Sequence, residues 1–169
     1  MINLAQLVIL LVIVLIAVAG YGLAKQIVKG MQSMPADKAA YAFNETRQAF
    51  LATELRVADS HLQRLMGLMS TSSSSFQSGC GLWINPCHGI HTMFMRFPID
   101  VLYLDREQRV MRVEDNVRPW RVSPVIIESA TVLELPAHTA WNTGTKVGDT
   151  IEIKLLTKEN HGDSRLRSA

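Results

Sequence analysis

The stretch from Cys87 to Asp105 places thiol, imidazole, guanidinium and carboxylate side chains beside a strongly apolar run. Its sequence is CHGIHTMFMRFPIDVLYLD. A polar or charged group costs free energy when it is buried without a partner. A strand that only filled a core would therefore have no use for His91, Arg96 or Asp100. These three residues are the first candidates for binding or reaction.

His91 is the best candidate for a catalytic group, because imidazole exchanges a proton near neutral pH and also binds metals. The alternative is a histidine at a core or edge position whose nitrogens pair with the backbone. Cys87 and His91 have a spacing seen among zinc ligands, but no Cys-x-x-Cys pair accompanies them, so they form only a weak metal candidate. Cys87 as a nucleophile with His91 as its base has still less support. No cofactor is predicted.

Arg96 and Asp100 lie four residues apart, so on a continuous strand they share a face at a separation of about 13 Å. They can pair only if the chain bends, for which Pro98 is suited. The two alternatives are a buried ion pair and a guanidinium that awaits a carboxylate or phosphate ligand. Trp120 either walls a pocket or covers a sheet edge. The predicted ligand-binding residues are His91, Arg96, Asp100 and Trp120.

Composition limits the classes of function. A chain of 169 residues has room for one domain and an appendage. Its 17 basic and 15 acidic side chains are spread along the sequence, so no nucleic-acid partner is predicted. Cys80 and Cys87 are compatible with a disulfide, two free thiols or a metal site, and their number does not decide the compartment.

The first 24 residues contain no charged side chain. Residues 4–23 would span about 30 Å as a helix, which is the thickness of a bilayer core. They predict a single-pass membrane anchor at residues 1–24, with the lipid bilayer as its partner. A signal peptide cleaved near Ala19 and a buried core helix are the alternatives. The length of the apolar block and the absence of a preceding Lys or Arg favour the anchor.

The side of the membrane is open. Lys25 and Lys29 follow the apolar segment, and the positive-inside rule then places the rest of the chain in the cytoplasm.

Beyond the anchor, three segments differ in pattern. Residues 25–49 predict an amphipathic connector, helical from Pro35, with a partly ordered linker as the alternative. Residues 158–169 predict a polar, disordered tail. Residues 50–157 predict the folded domain, which begins with a strand of alternating polarity and a helix at 61–69 that is capped by Ser60 and Gln63. The serine-rich run at 70–75 predicts a surface loop.

Short apolar runs separated by turn residues recur through the rest of the domain, and each predicts a strand. They are residues 81–84, 92–97, 101–104, 110–113, 132–135 and 151–155. Closely spaced strands with short connections indicate a mainly β (α+β) domain with a compact, mostly antiparallel, curled or barrel-like sheet and one or two short helices.

Five motifs in order resemble domain-of-unknown-function family 192 over about residues 53–153. They are RxxGLM at 64–69, HTxxMRFPIDVxxLD at 91–105, Pro119-Trp120, LELPA at 133–137, and Gly144 with Gly148-Asp149. The resemblance implies a compact β domain with no established activity. Because many members resemble exported or tethered proteins, it favours an exported domain. Ala137-His138 stands where members usually have Ala-Gly, which affects the turn after Pro136.

The favoured function is a membrane-anchored accessory or binding module that presents a small polar pocket to an anionic ligand or a protein partner. A membrane-tethered hydrolase that uses His91, with or without a metal, is the first alternative. The second is a structural component of an envelope secretion or pilus assembly, with an envelope protein as its partner. We favour the non-enzymatic interpretation.

Overall fold

A computed structural model describes residues 38–69 and 71–157. In these ranges the chain forms eight strands and two α-helices. They are β1 (Lys38–Asn44), β2 (Ala49–Ala52), β3 (Glu54–Ala58), α1 (His61–Met66), β4 (Cys80–Ile84), β5 (Ile99–Leu104), β6 (Val110–Val117), β7 (Thr131–Pro136), α2 (Thr139–Thr143) and β8 (Ile151–Thr157). A 3₁₀ turn at Ser73–Ser75 lies in the serine-rich loop.

The strands form two open sheets within the described residues. The smaller has the order β2-β1-β8, and the larger has the order β3-β4-β7-β5-β6. β3 and β4 run parallel, and the other paired strands are antiparallel. The prediction of a mainly β, mostly antiparallel domain with short helices is confirmed. The prediction of a curled or barrel-like sheet is wrong, since neither sheet closes on itself.

One face of the larger sheet packs against the smaller sheet. Leucines from β5 and β7 meet small side chains of β1, of which Ala40 and Ala42 are buried. Alanines at this position let the two sheets approach closely, because little side-chain volume separates them. This face forms an apolar core between the sheets.

The opposite face of the larger sheet is covered by α1 and by loops. Apolar side chains from these segments pack on β4, β5 and β7. The covering residues include Leu68, Phe76, Ile90, Met95 and Phe97. A loop cover cannot pack as uniformly as a second sheet, and the cavity described below lies beneath it.

Helix α1 begins as predicted but ends early. The Ser60 side chain accepts a hydrogen bond from the Gln63 amide, and the Gln63 side chain accepts one from the Ser60 amide, which completes the capping box. The helix ends at Gly67, whose φ of 45° is unfavourable for a residue with a Cβ. The predicted extension to residue 69 is therefore replaced by a turn.

Two predictions of secondary structure are wrong. The part of the predicted helical connector that is described, from Lys38 onward, is β1 and the turn into β2; buried Ala40, Ala42 and Asn44 alternate there with half-buried aromatics at a period of two. The predicted strand at residues 92–97 is a turn, because Phe94 has a φ of 62°. The predicted strands at 81–84, 101–104, 110–113, 132–135 and 151–155 are confirmed.

The predicted anchor at residues 1–24 and the predicted tail at 158–169 lie outside the described residues. Within residues 38–69 and 71–157, no helix is long and apolar enough to cross a membrane.

Candidate functional site

A cavity of about 370 Å³ lies under the loop-covered face of the larger sheet. Its walls come from α1 and its C-terminal turn, from the loop that follows β4, and from β7. The residues that bring polar side chains to it are Arg64, Cys87, His88, His91 and Glu134.

Glu134 reaches the cavity because of its register in β7. It lies opposite Leu82 of β4 and Val101 of β5, in the middle of the larger sheet. Its neighbours Leu133 and Leu135 point into the core between the sheets, so Glu134 points to the loop-covered face. Only 2% of the residue is exposed. Within the described ranges its Oε2 has no hydrogen-bond partner.

Burial dominates the electrostatics of Glu134. Removal from water disfavours the carboxylate and raises the pKa of Glu134 to about 8, while the positive charge of Arg56 lowers it by a smaller amount. Arg56 lies opposite Leu82, so it occupies the same row of the sheet, two strands from Glu134. At neutral pH the Glu134 carboxyl is therefore mainly protonated, and it can donate a hydrogen bond.

Gly67 lies next to the carboxyl of Glu134. A Cβ at this position would lie 3.9 Å from Oε2 of Glu134, in ordinary contact. The turn that ends α1 thus passes directly over the acid with no side chain between them.

Arg64 joins α1 to the loop after β4. Its Nη1 donates to the carbonyl oxygens of Asp59 at 2.6 Å and Asn85 at 3.4 Å. Its Nη2 lies 2.9 Å from Nδ1 of His61. These contacts hold a half-buried guanidinium at the wall of the cavity.

The loop after β4 contributes a thiol and two imidazoles. Cys87 donates from Sγ to the carbonyl of Gly89 at 3.2 Å, and burial raises the pKa of its thiol, so a reactive thiolate is disfavoured. The half-buried His91 forms a backbone bridge with Val122, and its Nδ1 has no partner in the described part of the chain. Cys80 and Cys87 are both free.

The structure does not bring the four predicted ligand-binding residues together. His91 lines the cavity, but Arg96, Asp100 and Trp120 do not. Arg96 is exposed on the turn before β5, and among residues 38–69 and 71–157 it forms no ion pair with Asp100. Trp120 is 54% exposed and packs edge-on against Phe94.

The surroundings of Asp100 indicate that it stabilises the fold. It is fully buried, and its Oδ1 accepts hydrogen bonds from the amides of Asn116 at 2.9 Å and His138 at 3.1 Å. Its Oδ2 accepts one from the amide of Ala140 at 2.9 Å. These bonds join β5 to the end of β6 and to the start of α2.

Cys87 and His91, the predicted metal candidates, line the same cavity. Over the described residues, no three His, Cys, Asp or Glu side chains are placed to hold one metal ion. The geometry therefore gives the pair no third protein ligand.

Glu134 and Arg64 line the cavity, and neither is among the residues that the sequence predicts to bind a ligand. The signal for Glu134 was an acid inside the apolar run 132–135, where a strand buried on both faces leaves no exposed position for it. For Arg64 the sequence contains no comparable signal, since a basic residue near a helix end is commonly structural.

Comparisons with known proteins agree with this fold. A UPF0127 protein of Pyrococcus horikoshii is 30% identical over 112 residues, which cover 64% of this chain and 95% of the relative. A UPF0127 protein of Thermococcus sibiricus is 26% identical over 114 residues, which cover 64% of this chain and 71% of the relative.

Two crystal structures resemble the described fold. A protein of unknown function from Novosphingobium aromaticivorans has a TM-score of 0.61 and 19% identity, over 70% of this chain and 89% of that chain. A putative transcription regulator from Sinorhizobium meliloti has a TM-score of 0.54 and 22% identity, over 68% of this chain and 92% of that chain. The family model of DUF192, described as an uncharacterised ACR, matches residues 42–153. The chain therefore belongs to the DUF192 family.

Proposed function

We propose that this chain is a membrane-anchored binding module whose cavity takes a small anionic ligand that carries a carboxylate or a phosphate. The observation that carries the proposal is the buried carboxyl of Glu134, which lines a cavity of about 370 Å³ with one oxygen unpartnered in the described part of the chain. A buried polar atom without a partner costs free energy, which a ligand that supplies the partner would recover.

The charges of the cavity favour an anion. Arg64 brings a guanidinium, and His88 and His91 bring imidazoles. Glu134 is the one acid among the described residues that line the cavity, and at neutral pH it is mainly neutral. An incoming carboxylate or phosphate would meet hydrogen-bond donors and no fixed negative charge.

The chemistry favours binding over hydrolysis. The Cys87 thiol stays protonated because burial raises its pKa, and it donates to a carbonyl oxygen rather than pairing with His91. His91 has no nucleophile or acid arranged around it in the manner of a catalytic triad in the described residues. The hydrolase alternative remains a hypothesis without a specific contact in its favour.

The test is the thermal stability of the purified full chain in mild detergent, with inorganic phosphate, acetate or succinate as the probe and sodium chloride at matched ionic strength as the reference. A ligand that binds only the folded state raises the unfolding temperature, and the rise grows with the logarithm of the ligand concentration once this exceeds the Kd. We expect at least one probe to raise it at neutral pH, and we expect the gain to disappear in Arg64→Gln. The exposed residue Arg109 provides the matched control, because Arg109→Gln leaves the cavity unchanged.

The pH dependence separates this site from a surface anion site. As the pH rises through about 8, Glu134 ionises and repels the anion, so the probe's effect should fall in the wild type. Glu134→Gln should abolish that fall. The proposal would be contradicted if a probe raised the unfolding temperature equally in the wild type, Arg64→Gln and Glu134→Gln at every pH. It would also be contradicted if no probe raised the unfolding temperature.

The membrane part of the proposal rests on the apolar sequence of residues 4–23. Washing membranes with alkaline carbonate tests it separately, since this treatment removes peripheral proteins. Retention of the full chain supports the anchor, and complete release overturns it without affecting the cavity.

A further inference from the structure

Phe94 and Trp120 form an exposed aromatic pair at some distance in sequence from each other. Their ring centroids lie 4.7 Å apart at an interplanar angle of 62°. The residues are 56% and 54% exposed. Aromatic side chains of this size are usually largely buried, so an exposed pair in contact needs an explanation.

The backbone holds both aromatics in an unfavourable conformation. Phe94 has a φ of 62° and Trp120 a φ of 63°, in the left-handed region that bulky residues rarely occupy. Such conformations persist only where the surrounding structure imposes them, and they concentrate at binding sites.

Thr92 is the residue that imposes them. It is fully buried, and its carbonyl accepts hydrogen bonds from the amides of Trp120 at 2.8 Å and Met95 at 3.3 Å. Its hydroxyl donates to the carbonyl of Arg118 at 2.8 Å and accepts from the amide of Arg121 at 2.9 Å. These hydrogen bonds of Thr92 join the segment that contains Phe94 to the segment that contains Trp120, and they hold both aromatic residues in place.

We define the aromatic loops as residues 93–98 and 118–125. They carry three exposed arginines, Arg96, Arg118 and Arg121, and neither loop contains an aspartate or a glutamate. Two valines in the second loop, Val122 and Val125, are 76% and 71% exposed. The surface is therefore apolar and positively charged.

We propose that the aromatic loops dock on an anionic lipid bilayer, with Phe94 and Trp120 in the headgroup layer and the three arginines on lipid phosphates. The amphipathic ring of tryptophan favours the membrane interface, and arginines near it are attracted to anionic lipids. Nucleic acid fits less well, because single-strand binding relies on base stacking and exposed valines contribute nothing to that. No residue of the aromatic loops lines the cavity, and the docking does not require the predicted helix at residues 4–23.

Tryptophan fluorescence of the full chain tests the docking. The chain is combined with vesicles of phosphatidylcholine alone or of phosphatidylcholine mixed with phosphatidylglycerol, each containing lipid brominated near the headgroup as a quencher. We expect quenching to be at least about twofold stronger in the anionic vesicles. It should be lost in Trp120→Phe and kept in Trp141→Phe, since Trp141 is 81% exposed on α2, outside the aromatic loops. Arg118→Gln with Arg121→Gln should lower it to the phosphatidylcholine level.

Equal quenching in both kinds of vesicle, or quenching that survives Trp120→Phe, would overturn the proposal. Binding of a fluorescein-labelled oligothymidylate that is lost in Arg118→Gln with Arg121→Gln, in the absence of lipid quenching, would overturn it in favour of nucleic acid. Recovery of the chain with phosphatidylcholine vesicles reports on the anchor alone. If that recovery fails while quenching in anionic vesicles persists, the anchor is wrong and the docking surface stands.

Discussion

The protein buries two carboxyl groups on neighbouring strands, and their surroundings are opposite. Asp100 on β5 and Glu134 on β7 are 0% and 2% exposed. Asp100 accepts three backbone hydrogen bonds, whereas Oε2 of Glu134 has no partner among the described residues. Val101, which follows Asp100, lies directly opposite Glu134, so the two acids occupy adjacent places on opposite faces of one sheet.

The difference arises from the segments that cover each face of the larger sheet. On the side of Asp100, the end of β6 and the start of α2 turn backbone amides toward the carboxylate, so its charge is compensated by peptide donors. On the side of Glu134, α1 and the loop after β4 leave a cavity instead. A buried acid with all its partners stabilises the fold, and one without them is available for a ligand.

Replacement of Asp100 should have the largest effect. Asp100→Ala leaves three backbone amides without an acceptor, of which that of Ala140 is buried, and we expect it to lower the free energy of unfolding by about 3–5 kcal/mol. Urea unfolding of the full chain, followed by circular dichroism, measures this. Asp115 is the matched control, as an exposed carboxylate on β6, and Asp115→Ala should change stability by less than about 0.5 kcal/mol. A small loss for Asp100→Ala would return Asp100 to the list of ligand-binding candidates.

Replacement of Glu134 should raise the free energy of unfolding, and the size of this increase should depend on pH. The pKa of Glu134 is raised by burial to about 8 in the folded state, from 4.5. Between these values the unfolded chain releases a proton that the folded chain keeps, so the wild type loses stability as the pH rises. Relative to the wild type, Glu134→Gln should gain up to about 1.4 kcal/mol per pH unit between about pH 5 and pH 8.

Unfolding curves of both proteins at several pH values measure this gain, and the slope matters more than its absolute value, because the Gln amide has its own cost of burial. For Glu54→Gln, at an exposed position on β3, the difference in unfolding free energy from the wild type should not change with pH. A flat difference for Glu134→Gln as well would mean that Glu134 ionises normally in the folded state.

The sequence predicted most of the sheet, because half-buried and fully buried strands leave local patterns. The capping box of α1 and the strands β4 to β8 are examples. The pattern of β1 indicates a helical connector instead of a strand, because its alanines and aromatics fit both periods. The turn at Phe94 was taken for a strand because apolar content gives no indication of a left-handed φ.

The candidate site was harder to predict, because it depends on which face each polar residue takes. His91 lines the cavity, whereas Asp100, predicted from a charged group in an apolar run and from its spacing to Arg96, does not. Its partners come from residues 16 to 40 positions away, which no local pattern reveals. His138, which replaces the usual glycine of the family, adopts the left-handed φ of 69° and donates its amide to Asp100. The turn that contains His138 therefore supports Asp100 and does not line the cavity.

Replacement of Arg56 should have the smallest effect, and it tests whether a positive charge acts on the Glu134 carboxyl. Arg56 is the group that lowers the pKa of Glu134, across two strand spacings, and burial outweighs it. Arg56→Gln should therefore raise the pKa of Glu134 further, by less than burial already raises it. Infrared absorption of the protonated carboxyl, with Glu134→Gln as the subtraction reference, follows the titration, and Arg109→Gln should leave the midpoint unchanged. An unchanged midpoint in Arg56→Gln would show that water screens the Arg56 guanidinium from Glu134.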